Sequence, residues 1–157
     1  MIYYLALGSN EGDRNENMNK AVEELRALGD VRKVSTFYET KPWGYAEQAY
    51  FLNGAVELES SLEPKELLRA VKGIEQRLGR REVFRWGPRV IDIDILLCFD
   101  GDKEVSYEDE ELTIPHKYLC ERNFYLVCLK DLGIKEVCGK NVEDLIRENG
   151  KREISQG

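Results

Sequence analysis

The sequence predicts one α+β domain built on an antiparallel sheet, and three observations point to it. Apolar and polar positions alternate from Phe51 to Leu58. A second strand-like run, Val90 to Phe99, is apolar apart from two aspartates. Two longer segments between such runs carry apolar residues at helical spacing. In chain order the elements read strand, helix, strand, strand, helix, strand, which is the split-βαβ pattern of a ferredoxin-like βαββαβ core, followed by a mixed C-terminal extension.

The first strand is Tyr3 to Leu7, ending in the turn-rich Gly8-Ser9-Asn10-Glu11-Gly12-Asp13. A helix follows from Arg14 to Leu28, striped by Met18, Ala21, Val22, Leu25 and Leu28, with Gly29 where a C-cap is wanted. Val31 to Tyr38 reads as a strand, and Glu39 to Tyr50, with Pro42-Trp43-Gly44, as a long loop. Alternation from Phe51 to Leu58 puts Leu52, Gly54, Val56 and Leu58 on one face and Phe51, Asn53, Ala55 and Glu57 on the other. The second helix opens at Pro64, buries Leu67, Leu68, Val71, Ile74 and Leu78, and ends at Gly79. After an arginine-rich loop comes the strand Val90 to Phe99, then a polar stretch from Gly101 to Glu111 that would form a small hairpin. Phe124 to Leu132 and Val142 to Glu148 read as short helices, and Lys151 to Gly157 as a loose tail. With no linker and no repeat, residues 1–157 make a single catalytic domain.

Charge narrows the partners. The net charge of −7 argues against nucleic acid or an anionic membrane held by bulk electrostatics. The charge is uneven, however: Lys65 to Val90 carries eight basic residues against three acids, a window of +5 in a remainder of −12. Such an island is either a local anion site or a solvated helix face with a basic loop. No apolar run is long enough to span a bilayer, and the start lacks the marks of a signal peptide, so a cytoplasmic protein is expected. The four cysteines, Cys98, Cys120, Cys128 and Cys138, form no C-x-x-C pair and are expected to be ordinary, mostly buried thiols.

The chemistry concentrates in Arg85-Trp86-Gly87-Pro88-Arg89-Val90-Ile91-Asp92-Ile93-Asp94-Ile95-Leu96. Strand geometry puts Asp92 and Asp94 on one face with Cα atoms about 6.5–7 Å apart. Two carboxylates that close in an apolar strand resist desolvation unless a cation or donors compensate. Mg²⁺ suits them, because it takes carboxylate oxygens and usually substrate phosphates too, and two such ions can clamp a phosphoryl group. The alternative is a wet edge strand. Arg80, Arg81, Arg85 and Arg89 offer planar donor forks matched to phosphate oxygens. There is no P-loop and no G-x-G-x-x-G, so ATP would bind without a Walker motif.

Around this centre, His116 is either a structural turn residue or a hydrogen-bond donor to a nucleotide. Trp43 and Trp86 lie in loops, where they could sandwich a flat heterocycle. Asn53 shares a face with Phe51, and its amide can read the edge of such a ring. Two further readings are a non-catalytic ligand-binding module, which leaves the paired aspartates unexplained, and a metal-dependent phosphodiesterase or nuclease, which the acidic surface disfavours.

These residues resemble those of the 6-hydroxymethyl-7,8-dihydropterin pyrophosphokinase family. The likeness runs from Leu5-Ala6-Leu7-Gly8-Ser9-Asn10 to about Phe124 and centres on the Arg85–Leu96 segment. It extends through Ser35-Thr36-Phe37-Tyr38-Glu39-Thr40, Phe51-Leu52-Asn53-Gly54-Ala55-Val56, Ile74-Glu75 with Gly79-Arg80, and Leu112-Thr113-Ile114-Pro115-His116. The resemblance implies transfer of the β,γ-pyrophosphoryl unit of ATP to a pterin hydroxymethyl oxygen, releasing AMP, in folate biosynthesis. It implies two Mg²⁺ ions on Asp92 and Asp94, with Arg80 and Arg89 as catalytic, phosphate-holding arginines. Gly8, Thr40, Trp43, Phe51, Asn53, Trp86 and Phe124 fall on the pterin side. Lys72, Glu75, Arg85, Ile95, Thr113, His116 and Arg122 fall on the ATP side. Small-molecule substrates and a monomer are expected. The departures are a slightly shorter arginine loop around Arg81, Glu111 before Leu112, Lys117 after His116, Phe51 for a common Tyr, and Lys72 where an amide is usual.

Overall fold

Side-chain alternation along the first strand, β1 (Ile2–Ser9), decides how the layers stack. Tyr3, Leu5 and Leu7 point to one side of the sheet and Tyr4 and Ala6 to the other, and all five are buried. A strand buried on both faces must be central. The computed structural model, which describes residues 1–40, 50–79 and 90–156, places it there.

The elements after β1 are α1 (Arg14–Leu25), β2 (Asp30–Val34), β3 (Tyr38–Thr40), β4 (Phe51–Glu59), α2 (Pro64–Arg77) and β5 (Asp92–Asp100). The remainder comprises β6 (Lys103–Glu104), β7 (Tyr107–Glu108), β8 (Thr113–Ile114), α3 (Asn123–Asp131), β9 (Glu136–Val137), β10 (Lys140–Asn141) and α4 (Val142–Gln156). The main sheet runs β2–β4–β1–β5–β6 with every neighbouring pair antiparallel, and β3 also pairs with β4. Two small hairpin sheets, β7–β8 and β9–β10, lie outside it.

One core lies between the sheet and the first two helices. Leu5, Leu7, Val56, Leu58, Ile93 and Ile95 meet Met18, Val22 and Leu25 of α1 and Leu67, Val71 and Ile74 of α2. The other core lies under α3 and α4, where Tyr4, Ala6, Ala55, Leu96 and Leu97 meet Tyr125, Leu126, Leu129 and Leu145. Burying a side chain of this size removes about 1.5–3 kcal/mol of apolar exposure, so both faces stabilise the sheet. A bulge joins the two patterns: Leu5 pairs with Ile95 and Tyr4 with Leu97, leaving Leu96 as the extra residue. The bulge lets Leu96 and Leu97 both face α3 after Asp92 and Asp94 have done so.

Several elements differ from the sequence expectation, each for a local reason. The strand expected from Val31 to Tyr38 is broken between β2 and β3. The Ser35 hydroxyl accepts from the Ala55 amide at 2.8 Å, and the Thr36 amide turns away to donate to Asp131 on α3 at 2.9 Å. The first helix stops at Leu25 rather than Leu28. Gly29 is needed for close approach rather than as a left-handed cap, because a Cβ there would sit 2.1 Å from the carbonyl oxygen of Glu59. The tail expected from Lys151 is largely helical, since α4 continues to Gln156. Its anchor is Asn149, almost wholly buried, which donates to Cys120 O at 2.9 Å and Asn123 Oδ1 at 3.0 Å. Finally, Cys120 and Cys138 are not free thiols but a disulfide with Cα atoms 6.5 Å apart. The turn between β9 and β10 carries Cys138 at a positive φ of 57°, beside the segment that leads into α3. Cys98 and Cys128 are buried thiols, as expected.

The Gly29 contact yields a sharp expectation. Gly29→Ala should destabilise the protein by about 2–3 kcal/mol, because the strand backbone opposite cannot yield without shifting the sheet edge. Urea unfolding measures it, and a loss below about 0.5 kcal/mol would show that the α1–β2 connection moves freely away from β4.

Candidate active site

The register of the three central strands lays out a floor of small residues with polar groups at its margins. Gly8 on β1 lies opposite Asn53 on β4 and Asp92 on β5. Two residues back, Ala6 lies opposite Ala55 and Asp94. Strand periodicity sends all of these to the α3 side of the sheet. The floor leaves little room even where it is open: a Cβ on Gly8 would lie 3.1 Å from Asn53 Oδ1 and 3.4 Å from the Phe51 ring. At the β4 end, Asn53 Nδ2 donates to Thr40 Oγ1, and Thr40 pairs with Phe51 across the β3–β4 ladder. That bond orients the amide so that Oδ1 is the atom turned toward Gly8.

The carboxylates stand at the other margin. Asp92 and Asp94 are half-buried on β5. Burial pushes the Asp94 carboxyl above the usual carboxylate range, and the charge of Glu75 adds to this. Opposing them are a hydrogen bond from Tyr125 and the positive charges of Lys72 and Arg122. The Tyr125 hydroxyl donates to Asp94 Oδ2 at 2.8 Å and accepts from Arg122 Nη1 at 3.0 Å. Among the described residues no group of three metal-capable side chains is assembled, so the donor set offered here is the aspartate pair. That set fits Mg²⁺, which binds through one or two carboxylates and completes its octahedron with water and substrate phosphate oxygens. A carboxylate held in a site that resists its charge has most to gain from a cation.

The ATP-side residues divide by what they already do. Glu75 is buried on α2, where Oε2 accepts from the Ile93 amide at 2.8 Å and Oε1 lies 3.5 Å from Lys72 Nζ. It thereby satisfies a β5 backbone group beside the aspartates and links α2 to the site strand. The Ile95 side chain points to the opposite face, into the α1–α2 core, so it offers the site only backbone. Thr113 lies half-buried on β8, and the His116 amide donates to Leu96 O at 2.9 Å, binding this segment to the bulge.

His116 is held in one tautomer by a backbone donor. Its Nδ1 accepts from the Tyr118 amide at 3.1 Å, which places the ring proton on Nε2 as a free donor. Burial, with the charge of Arg122 nearby, pushes the imidazole down to about 4. The Arg122 guanidinium lies 4.6 Å from the Tyr118 ring centre and 5.4 Å from that of Tyr125. Edge-on contacts run from His116 to Tyr125 at 5.1 Å and from Tyr125 to Phe124 at 4.7 Å. Expected pterin-side and ATP-side residues thus meet around one tyrosine. Tyr125 was not among the expected residues. Its signal was present in the sequence: it lies three positions after Arg122, on the buried side of a helix, with a hydroxyl that needs a partner.

Trp43, Arg80, Arg81, Arg85, Trp86 and Arg89 lie outside the described residues. Of the others, Gly8, Thr40, Phe51, Asn53, Asp92, Asp94, His116, Arg122 and Phe124 lie on or beside the α3 face of the sheet. Lys72 and Glu75 approach from α2.

Comparison with known proteins shows the family and the fold. Residues 4–134 match the family model described as 7,8-dihydro-6-hydroxymethylpterin-pyrophosphokinase. A 2-amino-4-hydroxy-6-hydroxymethyldihydropteridine pyrophosphokinase of Bacillus subtilis is 48% identical over 133 residues, covering 83% of this chain and 77% of the relative. One of Aquifex aeolicus is 43% identical over 129 residues, covering 82% and 78%. Among solved structures, the wild-type Plasmodium falciparum HPPK-DHPS with pterin and p-hydroxybenzoate superposes with a TM-score of 0.71 at 19% identity. That match covers 99% of this chain and 44% of the longer one, and shows a shared fold.

The state of His116 has a measurable consequence. A histidine whose native value lies below its unfolded value of about 6.5 contributes nothing above that pH. It destabilises the fold increasingly as the pH falls toward about 4, because the unfolded chain takes up the proton first. His116→Asn, whose Oδ1 can accept from the Tyr118 amide, should therefore lose less stability than the parent between pH 7 and 4.5. Allowing for partial exposure, the difference should be on the order of 2 kcal/mol by urea unfolding. Parallel acid losses in the two proteins would contradict a neutral, buried imidazole.

Proposed function

The chain belongs to the 7,8-dihydro-6-hydroxymethylpterin-pyrophosphokinase family, and from that premise we propose how its own residues serve the family reaction. The reaction moves the β,γ-pyrophosphoryl group of ATP to the hydroxymethyl group of 6-hydroxymethyl-7,8-dihydropterin and releases AMP, a step of folate biosynthesis. The hydroxymethyl oxygen bonds to the β-phosphorus, the bond from that phosphorus to the AMP oxygen breaks, and the hydroxyl proton is given up. No covalent enzyme intermediate is required, so the work is positioning and charge neutralisation.

One observation carries the assignment of roles: two carboxylates share a face at one margin of a small-residue floor whose other margin is an oriented amide. Asp92 and Asp94 would hold two Mg²⁺ ions, which would supply positive charge to offset that of the triphosphate. Asn53, with Oδ1 turned toward Gly8, accepts from a pterin N–H, while Thr40, Phe51 and Phe124 border the ring. Trp43 and Trp86 stack on the ring. His116 donates through Nε2, and Arg122, Lys72, Arg85 and Thr113 line the nucleotide side. Arg80 and Arg89 grip the phosphates. Glu75 serves by holding β5 in place, and Ile95 contributes backbone only. The strand order β2–β4–β1–β5, with α1 and α2 on one face, supports reading the core as ferredoxin-like. Among the described residues no helix is long and apolar enough to cross a membrane.

Mixing the protein with ATP, Mg²⁺ and the reduced hydroxymethylpterin should yield AMP and pterin diphosphate in equal amounts. Formation of ADP would mark an ordinary kinase, and binding without AMP a ligand-binding module. Asp92→Ala and Asp94→Ala should each lower kcat by at least about 10³-fold with unfolding midpoints largely kept. A near-normal rate in either variant would remove the two-metal role.

A further inference from the structure

Tyr125 links Asp94, Arg122, His116 and Phe124. Its hydroxyl donates to Asp94 Oδ2 at 2.8 Å, and the same oxygen accepts from Arg122 Nη1 at 3.0 Å. Its ring packs against those of His116 and Phe124, on the buried side of α3 in the cluster that contains Ala6 and Ala55. The hydroxyl is therefore fixed at both ends, by a guanidinium on one side and a carboxylate on the other.

We propose that Tyr125 is a positioning residue for the metal site: as the middle member of an Arg122–Tyr125–Asp94 relay, it fixes the rotamer of the Asp94 carboxylate and keeps Oδ1 turned to the cation. This rests on the proposed role of Asp94 as a metal ligand. The argument is geometric. A carboxylate on a strand can rotate about its terminal torsion at little cost, so without a fixed donor its two oxygens exchange places. A donated O–H···O bond of 2.8 Å occupies one lone pair of Oδ2 and sets the carboxyl plane. The donor is a phenol rather than a cation, so it holds the ligand without cancelling the negative charge that attracts a metal. Arg122, placed on the far side of the phenol, polarises the donor and is itself held by the Tyr118 ring at 4.6 Å. Outer groups that orient metal ligands in this way typically account for about 10–100-fold in metal affinity or activity.

The test is Tyr125→Phe, which keeps the ring and removes the hydroxyl. Mn²⁺ binding, in the presence of a non-hydrolysable ATP analogue, is read by electron paramagnetic resonance. The expected result is an apparent Mn²⁺ dissociation constant raised about 10-fold or more. The Mg²⁺ concentration for half-maximal rate should rise in parallel, turnover should be largely restored at high Mg²⁺, and the KM for the pterin should not change. If Tyr125→Phe lowers the unfolding midpoint but leaves both metal constants where they were, the hydroxyl is only structural and the proposal fails. Asp94→Asn, measured alongside, separates the two levels. If it too leaves Mn²⁺ binding intact, it is the metal-ligand role of Asp94 that fails. In case the Phe variant does not fold, the parent protein labelled with ¹³C at the tyrosine Cζ offers a second reading. One tyrosine resonance should move on adding Mg²⁺ with the analogue and be broadened by traces of Mn²⁺. No moving resonance would overturn the proposal.

Discussion

Two carboxylates two residues apart on one face of a mostly buried strand are the constraint around which the rest of the molecule is organised. Water cannot solvate them fully, and at Asp94 the nearby charge of Glu75 adds to the cost of burial. The fold answers in three ways. Opposite the pair it places the small residues Gly8 and Ala6, which keep bulky side chains away from the carboxylates. From the α3 side it brings Arg122 and Tyr125, a cation and a donor. From the α2 side it brings Glu75, which holds the backbone between the two aspartates through the Ile93 amide.

The sheet's two faces divide the labour. The α1–α2 face is a continuous apolar core and sets stability. The α3–α4 face is apolar only toward one end, and toward the other it opens into Asn53, Gly8, Asp92 and Asp94. The bulge at Leu96 marks the change: before it β5 presents carboxylates to the α3 face, and from it onward leucines. The disulfide, the buried Asn149 and the His116–Leu96 backbone bond all hold the segment that delivers His116 and Arg122 to this boundary. A site that works by positioning needs such rigid support more than it needs reactive side chains.

The parts of this architecture legible in the sequence were those with a strong period or a strong anomaly. Alternation along Phe51 to Leu58 put Asn53 and Phe51 on one face, the face that the register gives to Gly8, and two aspartates stood out in an otherwise apolar strand. What the sequence did not disclose depends on contacts between distant segments. The break between β2 and β3 comes from Ser35 and from Asp131 of α3, nearly a hundred residues away. The pairing of Cys120 with Cys138 follows from how the β9–β10 hairpin docks, which four cysteines without a spacing motif cannot specify. Tyr125 reads locally as a core aromatic, and only the fold shows its hydroxyl against Asp94. Ile95 shows the converse, a residue of the signature segment whose side chain faces away from the site.

The most direct test of the account is to locate the cations. Crystals of the protein grown with Mn²⁺, a non-hydrolysable ATP analogue and the reduced pterin should show anomalous peaks within about 2.0–2.3 Å of oxygens of both Asp92 and Asp94. The β- and γ-phosphate oxygens should complete the coordination, and the pterin should lie over Gly8 against Asn53. Manganese bound away from the aspartate pair, or a triphosphate seated elsewhere with the pair left to water, would contradict it.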